Sequence, residues 1–481
     1  MNTNPCIPVP SPTEIGMKLF PNGRLQPPTL ANAWTATVLL TPPGGQVGPV
    51  KPSDQLAVAY VTYKETDPSN RQIRYQIFLL ESLKYFDVLF RTEGDVTSWW
   101  SLVSTPDQLG GVPSNAFGPF STSVVVPGAN FLADYGFTHV GSWNVIGRSR
   151  DAFVLKNKIP PADKNNGPGG TWVWCDTASN ALARVMTTRQ DNEALIPIFG
   201  AYYLSDFCEI SNNANTDWPG ILQVCDRAKS VGSVTSTMLT LVDLLQGMSE
   251  VPQEAFTSCV FGDIQRLIPG ILPDLNGIPV PTWTNQVNSE CIMMGQELAP
   301  LYCQLWYDWD KGAQVTVFVS PDDEGSYTSR FDEMLPKGHV GPENDYVWDG
   351  IQWKLRCYKK SRGFVPMPVP NFVAAGQGRC RAAFKNDPYF SSSSIWSVPL
   401  NAAEDVANFW YVFSDQQKGV IFSLSPAASL TLIDYQTFVQ NAQIQDCVFY
   451  DPQGNIPMCP DEKMSTIKNI GFLPGNTGID K

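Results

Sequence analysis

The chain has 481 residues, 43% hydrophobic and only 16% charged, with a net charge of −13. That much apolar material excludes bulk disorder, and the length passes the roughly 250–300 residues at which a single core stops growing, so two domains are expected. The negative balance repels phosphate and excludes strong direct nucleic-acid binding by the surface as a whole.

The N-terminal sequence MNTNPCIPVPSPTEIG has no charged stretch followed by an apolar one, so it reads as an extended Pro-rich arm over 1–29 and not as a secretory signal. No run of about 18 apolar residues occurs, so no membrane association is expected. From 30 to 215 short β-segments alternate with turn clusters: Val58–Lys64, Ile73–Leu80, Phe86–Phe90, Thr122–Val126, Thr138–Ile146, Ala152–Lys156 and Thr171–Cys175. Asp67-Pro68-Ser69-Asn70 joins the first two as a hairpin-type turn. The polar stretch Ser211–Pro219 marks a domain boundary. Beyond it, Ser233, Val234, Met238, Leu241, Val242, Leu245 and Gly247 predict a capped amphipathic helix.

The β-pattern then returns in Gln314–Ser320, Gly350–Tyr358 and Arg379–Phe384. Phe409–Phe413 and Val420–Leu424 flank the turn SDQQKG as a hairpin, and Leu430–Phe438 gives a last strand. No repeat of solenoid or propeller period is visible. The expected fold is mainly β, a jelly-roll or β-sandwich with two β-rich domains and a few short helices. Residues 30–215 would be one domain, a second jelly roll or a projecting unit. Residues 216–445 would be a jelly-roll sandwich, followed by a C-terminal extension over 446–481.

Residues 299–320 (APLYCQLWYDWDKGAQVTVFVS), 364–370 (FVPMPVP), 386–400 (NDPYFSSSSIWSVPL) and 420–438 (VIFSLSPAASLTLIDYQTF) resemble the strands of picorna-like virus capsid proteins. That resemblance covers less than half of the chain. It implies an eight-stranded jelly roll over roughly 250–440, and a virion subunit made in the host cytoplasm. Its partners would be copies of itself as a homo-oligomer, other capsid subunits and a host receptor. Two features depart from the family: no basic arm for genome packaging is present, and the chain opens with Met where many such proteins are cut from polyproteins.

The chemistry-bearing residues are sparse. Only His139 and His339 are histidines, neither beside a G-x-S-x-G elbow, so a Ser–His–Asp hydrolase has little support. Two histidines also cannot make a multi-histidine metal centre. Eleven cysteines without a C-x-x-C pair disfavour a zinc ribbon, and together with the lack of any N-x-S/T acceptor they point to a reducing compartment. The basic cluster Arg356, Lys359, Lys360 and Arg362 reads as a solvated strand end. Gly44–Gly45, Gly110–Gly111 and Gly169–Gly170 lack a phosphate-cradling pattern.

Acidic and aromatic residues carry the alternative. Trp306, Asp308, Trp309, Asp310, Asp322, Asp323 and Glu324 combine rings that stack on sugars with paired carboxylates that hydrolyse glycosides or hold a cation. The same Ser-Pro-Asp-Asp-Glu-Gly segment also reads as a turn after a strand. Trp99, Trp100, Phe409, Trp410, Tyr411 and Phe413 would line a receptor or glycan site, or else pack the core. The leading expectation is a non-enzymatic, self-assembling capsid protein without a cofactor. A β-sandwich carbohydrate-binding protein or glycoside hydrolase, and a virus-encoded host-interaction protein outside the shell, remain open beside it.

Overall fold

The computed structural model describes residues 10–42, 55–122, 125–156, 170–187, 204–212, 216–228, 256–294, 299–311, 313–319, 326–333, 339–340, 343–348, 353–356, 369–399, 406–414, 417–425, 431–449 and 465–466. In the first half a meander runs through β1 (Ala33–Thr41), β2 (Ala57–Asp67), β3 (Asn70–Leu79), β4 (Lys84–Glu93), β5 (Val96–Val103) and β6 (Asn115–Thr122). The chain then crosses to the far edge. It returns through β7 (Thr138–Val145), β8 (Arg148–Lys156), β9 (Gly170–Asp176), β10 (Leu182–Thr187) and β11 (Leu204–Ser211) until β11 pairs with β1. A short strand, β12 (Phe256–Ser258), adds to β4.

The second half repeats this path. Its meander is β13 (Gln286–Met294), β14 (Leu301–Asp308), β15 (Ala313–Val319) and β16 (Ser326–Glu333), with β17 (His339–Val340) leaving the sheet before β18 (Glu343–Trp348) and β19 (Trp353–Arg356). The return is β20 (Arg379–Ala383), β21 (Ser393–Pro399), β22 (Val406–Ser414), β23 (Gln417–Ser425) and β24 (Thr431–Gln440), and β24 closes on β13. β17 pairs instead with β25 (Ser465–Thr466). In both halves a short helix sits between outgoing and returning strands, Phe131–Tyr135 in one and Phe372–Ala375 in the other, and packs its Phe into that half's core.

The chain is thus mainly β with short helices. Its strand order refines the jelly-roll expectation: each long sheet is two meanders joined through their inner strands, where a jelly roll divides eight strands between two sheets. Local chemistry explains the turns. At the β2–β3 hairpin the Asp67 carboxylate accepts from Ser69 N at 2.9 Å, an Asx turn at the predicted place. The β22–β23 hairpin is tighter than a six-residue turn, because Ser414 already pairs with Gln417. The helix predicted over 233–247 lies outside the described residues.

Residues 12–19, expected to be extended, form a helix, α1 (Pro12–Leu19). Ser11 caps it: Glu14 N donates to Ser11 Oγ at 3.2 Å, and Ser11 N donates to Glu14 Oε2 at 2.7 Å. Its Ile15 and Leu19 are buried. The helix lies over β7 at Gly141, where a Cβ would sit 3.2 Å from Leu19 Cβ and the φ of +144° suits glycine.

The two sheets share one core. Leu39, Val58, Phe78, Trp172 and Trp174 from the first sheet pack in one cluster with Ile292, Met294, Tyr302, Trp306 and Val317 from the second. Val38, Val61, Tyr75, Val173 and Val185 point to the first sheet's opposite face, into a second cluster around Phe131 and Leu132. Both faces of the first sheet are therefore buried, which is why β1 reads as the near-continuous apolar run AWTATVLLT.

Open sheets leave unpaired edges, and this fold blunts each of them. Pro119, which lacks an N–H, interrupts β6. Residues 270–272 cover β20, with Leu272 N donating to Ala383 O at 2.8 Å, and β19 is only four residues long. The edge strand β7 is capped by Gln436: Asn144 N donates to Gln436 Oε1 at 3.1 Å, and Gln436 Nε2 donates to Asn144 O at 3.0 Å. Gln436 reaches that edge because it is the extra residue of a bulge, where Cys291 pairs with Tyr435 and Glu290 with Thr437. Gln436→Ala should lower stability by about 1 kcal/mol and uncover β7; thermal unfolding and light scattering on heating should show a lower midpoint and earlier aggregation.

Candidate functional site

A deeply buried polar network lies in the seam between the sheets. Arg184 of β10 is 0% exposed. It donates from Nε to Asp206 Oδ1 of β11 at 2.6 Å and from Nη1 to Asp434 Oδ1 of β24 at 2.8 Å. Asp434 also accepts from Trp143 Nε1 of β7 at 3.0 Å. One carboxylate of the second sheet is thereby held by two strands of the first. Burial opposes charge on Arg184, but Asp206 and Asp434 outweigh it and push its pKa up. The guanidinium also lies 5.7 Å from the Trp174 ring centre.

A second network holds the loop after β5. Arg74 Nε donates to Asp87 Oδ1 at 2.9 Å and Arg74 Nη1 to Gly111 O at 2.7 Å, while Gly110 N donates to Gln76 Oε1 at 2.7 Å. Ser104 and Tyr85 also hydrogen-bond Asp87. Every donor there meets an acceptor of the fold itself, as a structural network requires.

The fold does bring a serine, a histidine and an aspartate together, at His139, Ser142 and Asp151. Ser142 Oγ donates to Asp151 Oδ1 at 2.6 Å and lies 3.4 Å from His139 Nε2. His139 Nδ1 accepts from Leu25 N at 3.1 Å, so the ring proton sits on Nε2 and points at Ser142. Hydrogen bonding runs from His to Ser to Asp. A hydrolytic triad needs the serine to donate to the histidine and the histidine to donate to the aspartate. Here the group anchors residues 20–25 on β7, with Arg24 Nη1 donating to His139 O at 3.2 Å and the rings of Phe20 and Phe153 flanking the imidazole.

The acidic and tryptophan cluster divides when placed in the fold. Trp306, on β14, is 4% exposed and belongs to the core shared by the two sheets. Asp308 is 3% exposed, accepts from Lys311 N at 3.1 Å and pairs with Lys311 Nζ at 3.3 Å. Trp309 packs against Val287 and Tyr307. Asp310 is exposed and accepts from Asn285 Nδ2 at 2.6 Å and Gln286 Nε2 at 2.8 Å. Asp308, Trp309 and Asp310 build the β14–β15 turn, and Trp306 does not take part in it. Asp322, Asp323 and Glu324 lie outside the described residues. So do the side chains of Phe409, Trp410, Tyr411, Phe413 and His339, and Lys359, Lys360 and Arg362. Trp99 and Trp100 are buried on opposite faces of β5, Trp99 stacked on Phe120 and Trp100 under the helix Trp218–Asp226.

Among the described residues no group of three or more His, Cys, Asp or Glu could hold a metal ion, and no helix is long and apolar enough to cross a membrane. A cleft of about 110 Å³ opens between Leu30, Trp34, Ser179, Asn180, Leu182 and Asn212, room for a few waters. Cys447 is disulfide-bonded, a departure from the all-reduced thiols expected of a reducing compartment. The seam network escaped the sequence reading. Its signal is a lone charge at an inward position of an apolar strand, Arg184 in LARVMT and Asp434 in TLIDYQTF.

No family model matches the chain, and no curated protein matches it. Among solved structures, MucB in complex with MucA(peri) is similar at 10% identity, covering 85% of this chain and 94% of that one, with a TM-score of 0.20. A putative outer membrane lipoprotein-sorting protein domain from Vibrio parahaemolyticus is similar at 10% identity over 40% of this chain and 90% of that one, with a TM-score of 0.19. At such low scores neither neighbour speaks to what this chain does.

Two outcomes follow from the wiring. Asp434→Ala leaves Arg184 with one carboxylate and Trp143 Nε1 with none, and should cost about 3–5 kcal/mol in urea unfolding; a Trp143→Phe change added to it should cost little more. Burial first, and Arg24 second, hold the His139 pKa below its ordinary 6.5 against the pull of Asp151. The unfolded chain therefore takes up the proton first, and stability contributed by His139 is present above about pH 6.5 and lost as pH falls below it. Comparison with His139→Gln across pH 5–8 should show the wild type losing ground only on the acid side.

Proposed function

We propose that this chain is a non-enzymatic structural protein that associates with copies of itself, a viral shell subunit being the form to which its sequence resemblance points. The observation that carries this reading is the wiring of its polar groups. The Ser142–His139–Asp151 group, the Asp87 network and the Asp308–Asp310 turn each hold catalytic residue types, and in each the donors are directed at acceptors of the fold. Low charge, 16% of residues, supports association through neutral and apolar surface. With Pro119, Gln436 and residues 270–272 blunting sheet edges, association would run through loops and faces and not by strand addition.

α1 adds a constraint on how copies meet. Its Lys18 pairs with Glu290 of the second sheet at 2.7 Å and stands over the Tyr302 ring, so residues 12–19 dock within their own chain and exchange of this segment would first break that docking. Light scattering coupled to size exclusion, with negative-stain microscopy, tests the proposal across low salt, high salt and added Ca²⁺. Regular oligomers or closed particles are expected in at least one condition. A monomer in every condition at high concentration overturns self-association and turns attention to glycan binding.

A further inference from the structure

β13 is the strand through which the second sheet's two meanders join, paired with β14 on one side and β24 on the other. Cys291 and Cys303 stand directly opposite each other across β13 and β14. Both are free thiols, 6% and 2% exposed, and Cys303 Sγ donates to Leu301 O at 3.5 Å. Trp309 N donates to Asn285 O at 2.7 Å, which fixes the phase of this ladder. Positions 285 and 309 are a hydrogen-bonded pair, and so is every second pair onward, through 291 and 303.

Opposed Cα atoms in such a pair lie about 5.5 Å apart, within the range a disulfide spans. Their Cβ atoms, at about 5 Å, stand wider than the roughly 3.8 Å of a relaxed disulfide. Closing that gap strains the bond, and a strained disulfide is readily reduced. The fold already holds one disulfide, at Cys447.

We propose that Cys291 and Cys303 form a reversible cross-strand disulfide by exchange with a low-molecular-weight disulfide such as glutathione disulfide. One protein thiolate attacks the small disulfide and releases one glutathione thiol. The second protein thiolate then attacks the protein sulfur of the mixed disulfide and releases the other. One S–S bond is broken and one formed, and two electrons and two protons pass from the protein thiols to glutathione. Burial makes the exchange slow, because it proceeds only when the β13–β14 ladder opens.

The test uses the full chain. It is equilibrated for hours at graded ratios of glutathione to glutathione disulfide, quenched with N-ethylmaleimide in denaturant, and digested with trypsin. The tryptic peptide 267–311 contains both cysteines and no other. The expected result is a peptide two hydrogens lighter, carrying no maleimide, at oxidising ratios, and one carrying two maleimides once excess glutathione is restored. In Cys303→Ser that lighter species should vanish. Two maleimides at every ratio, including after refolding in the oxidant, overturn the proposal; so does a stable single glutathione adduct, or a closed bond that excess glutathione does not reopen.

Discussion

Asp434 accepts hydrogen bonds from Arg184 and from Trp143 across the seam, and the relation of the two sheets depends on that contact. An apolar seam alone would tolerate sliding, since hydrophobic attraction has no direction. A buried carboxylate does not, because any shift leaves it without partners in a medium that penalises an unpaired charge by several kcal/mol. Arg184 is shared between Asp206 of its own sheet and Asp434 of the other, so the pairing fixes the register of β10 on β11 as well as the docking of β24.

Around that contact the fold settles a problem that long sheets bring with them. Two sheets of this length would present edges to any passing strand. The bulge that displaces Gln436 toward β7 lies two residues beyond Asp434 on the same strand. The contact that positions the second sheet and the cap that closes the first sheet's edge are therefore adjacent. α1 adds a third tie, through Lys18 to Glu290.

The same economy explains why the polar groups read as structural. Asp87, Asp151, Asp206, Asp308 and Asp434 are all buried, and each is met by a hydrogen-bond donor of the fold. A catalytic carboxylate or histidine has to turn a lone pair or a proton toward substrate. His139 instead spends its acceptor nitrogen on Leu25 N and its proton on Ser142.

Much of the local structure was legible in the chain. Alternation of β-branched and aromatic residues located β2, β3, β7, β9, β15, β20 and β24 to within a few residues, because a strand's pattern follows from which face each side chain meets. Asp67 marked its turn because an aspartate there can accept from the backbone two residues on. α1 had a signal that went unread, Ser11-Pro12-Thr13-Glu14, a capping box hidden inside a Pro-rich stretch. The strand order, the repetition of one path in both halves, and the partners of Arg184, His139 and Asp434 were not legible. Pairing between β1 and β11, or between Trp143 and Asp434, joins residues far apart in sequence. No local propensity encodes that choice. Sequence by itself determined where many of the strands form and that they bury apolar faces. Only the tertiary structure decided which strands meet and which charges are paired, because those depend on how two complete sheets lie against each other.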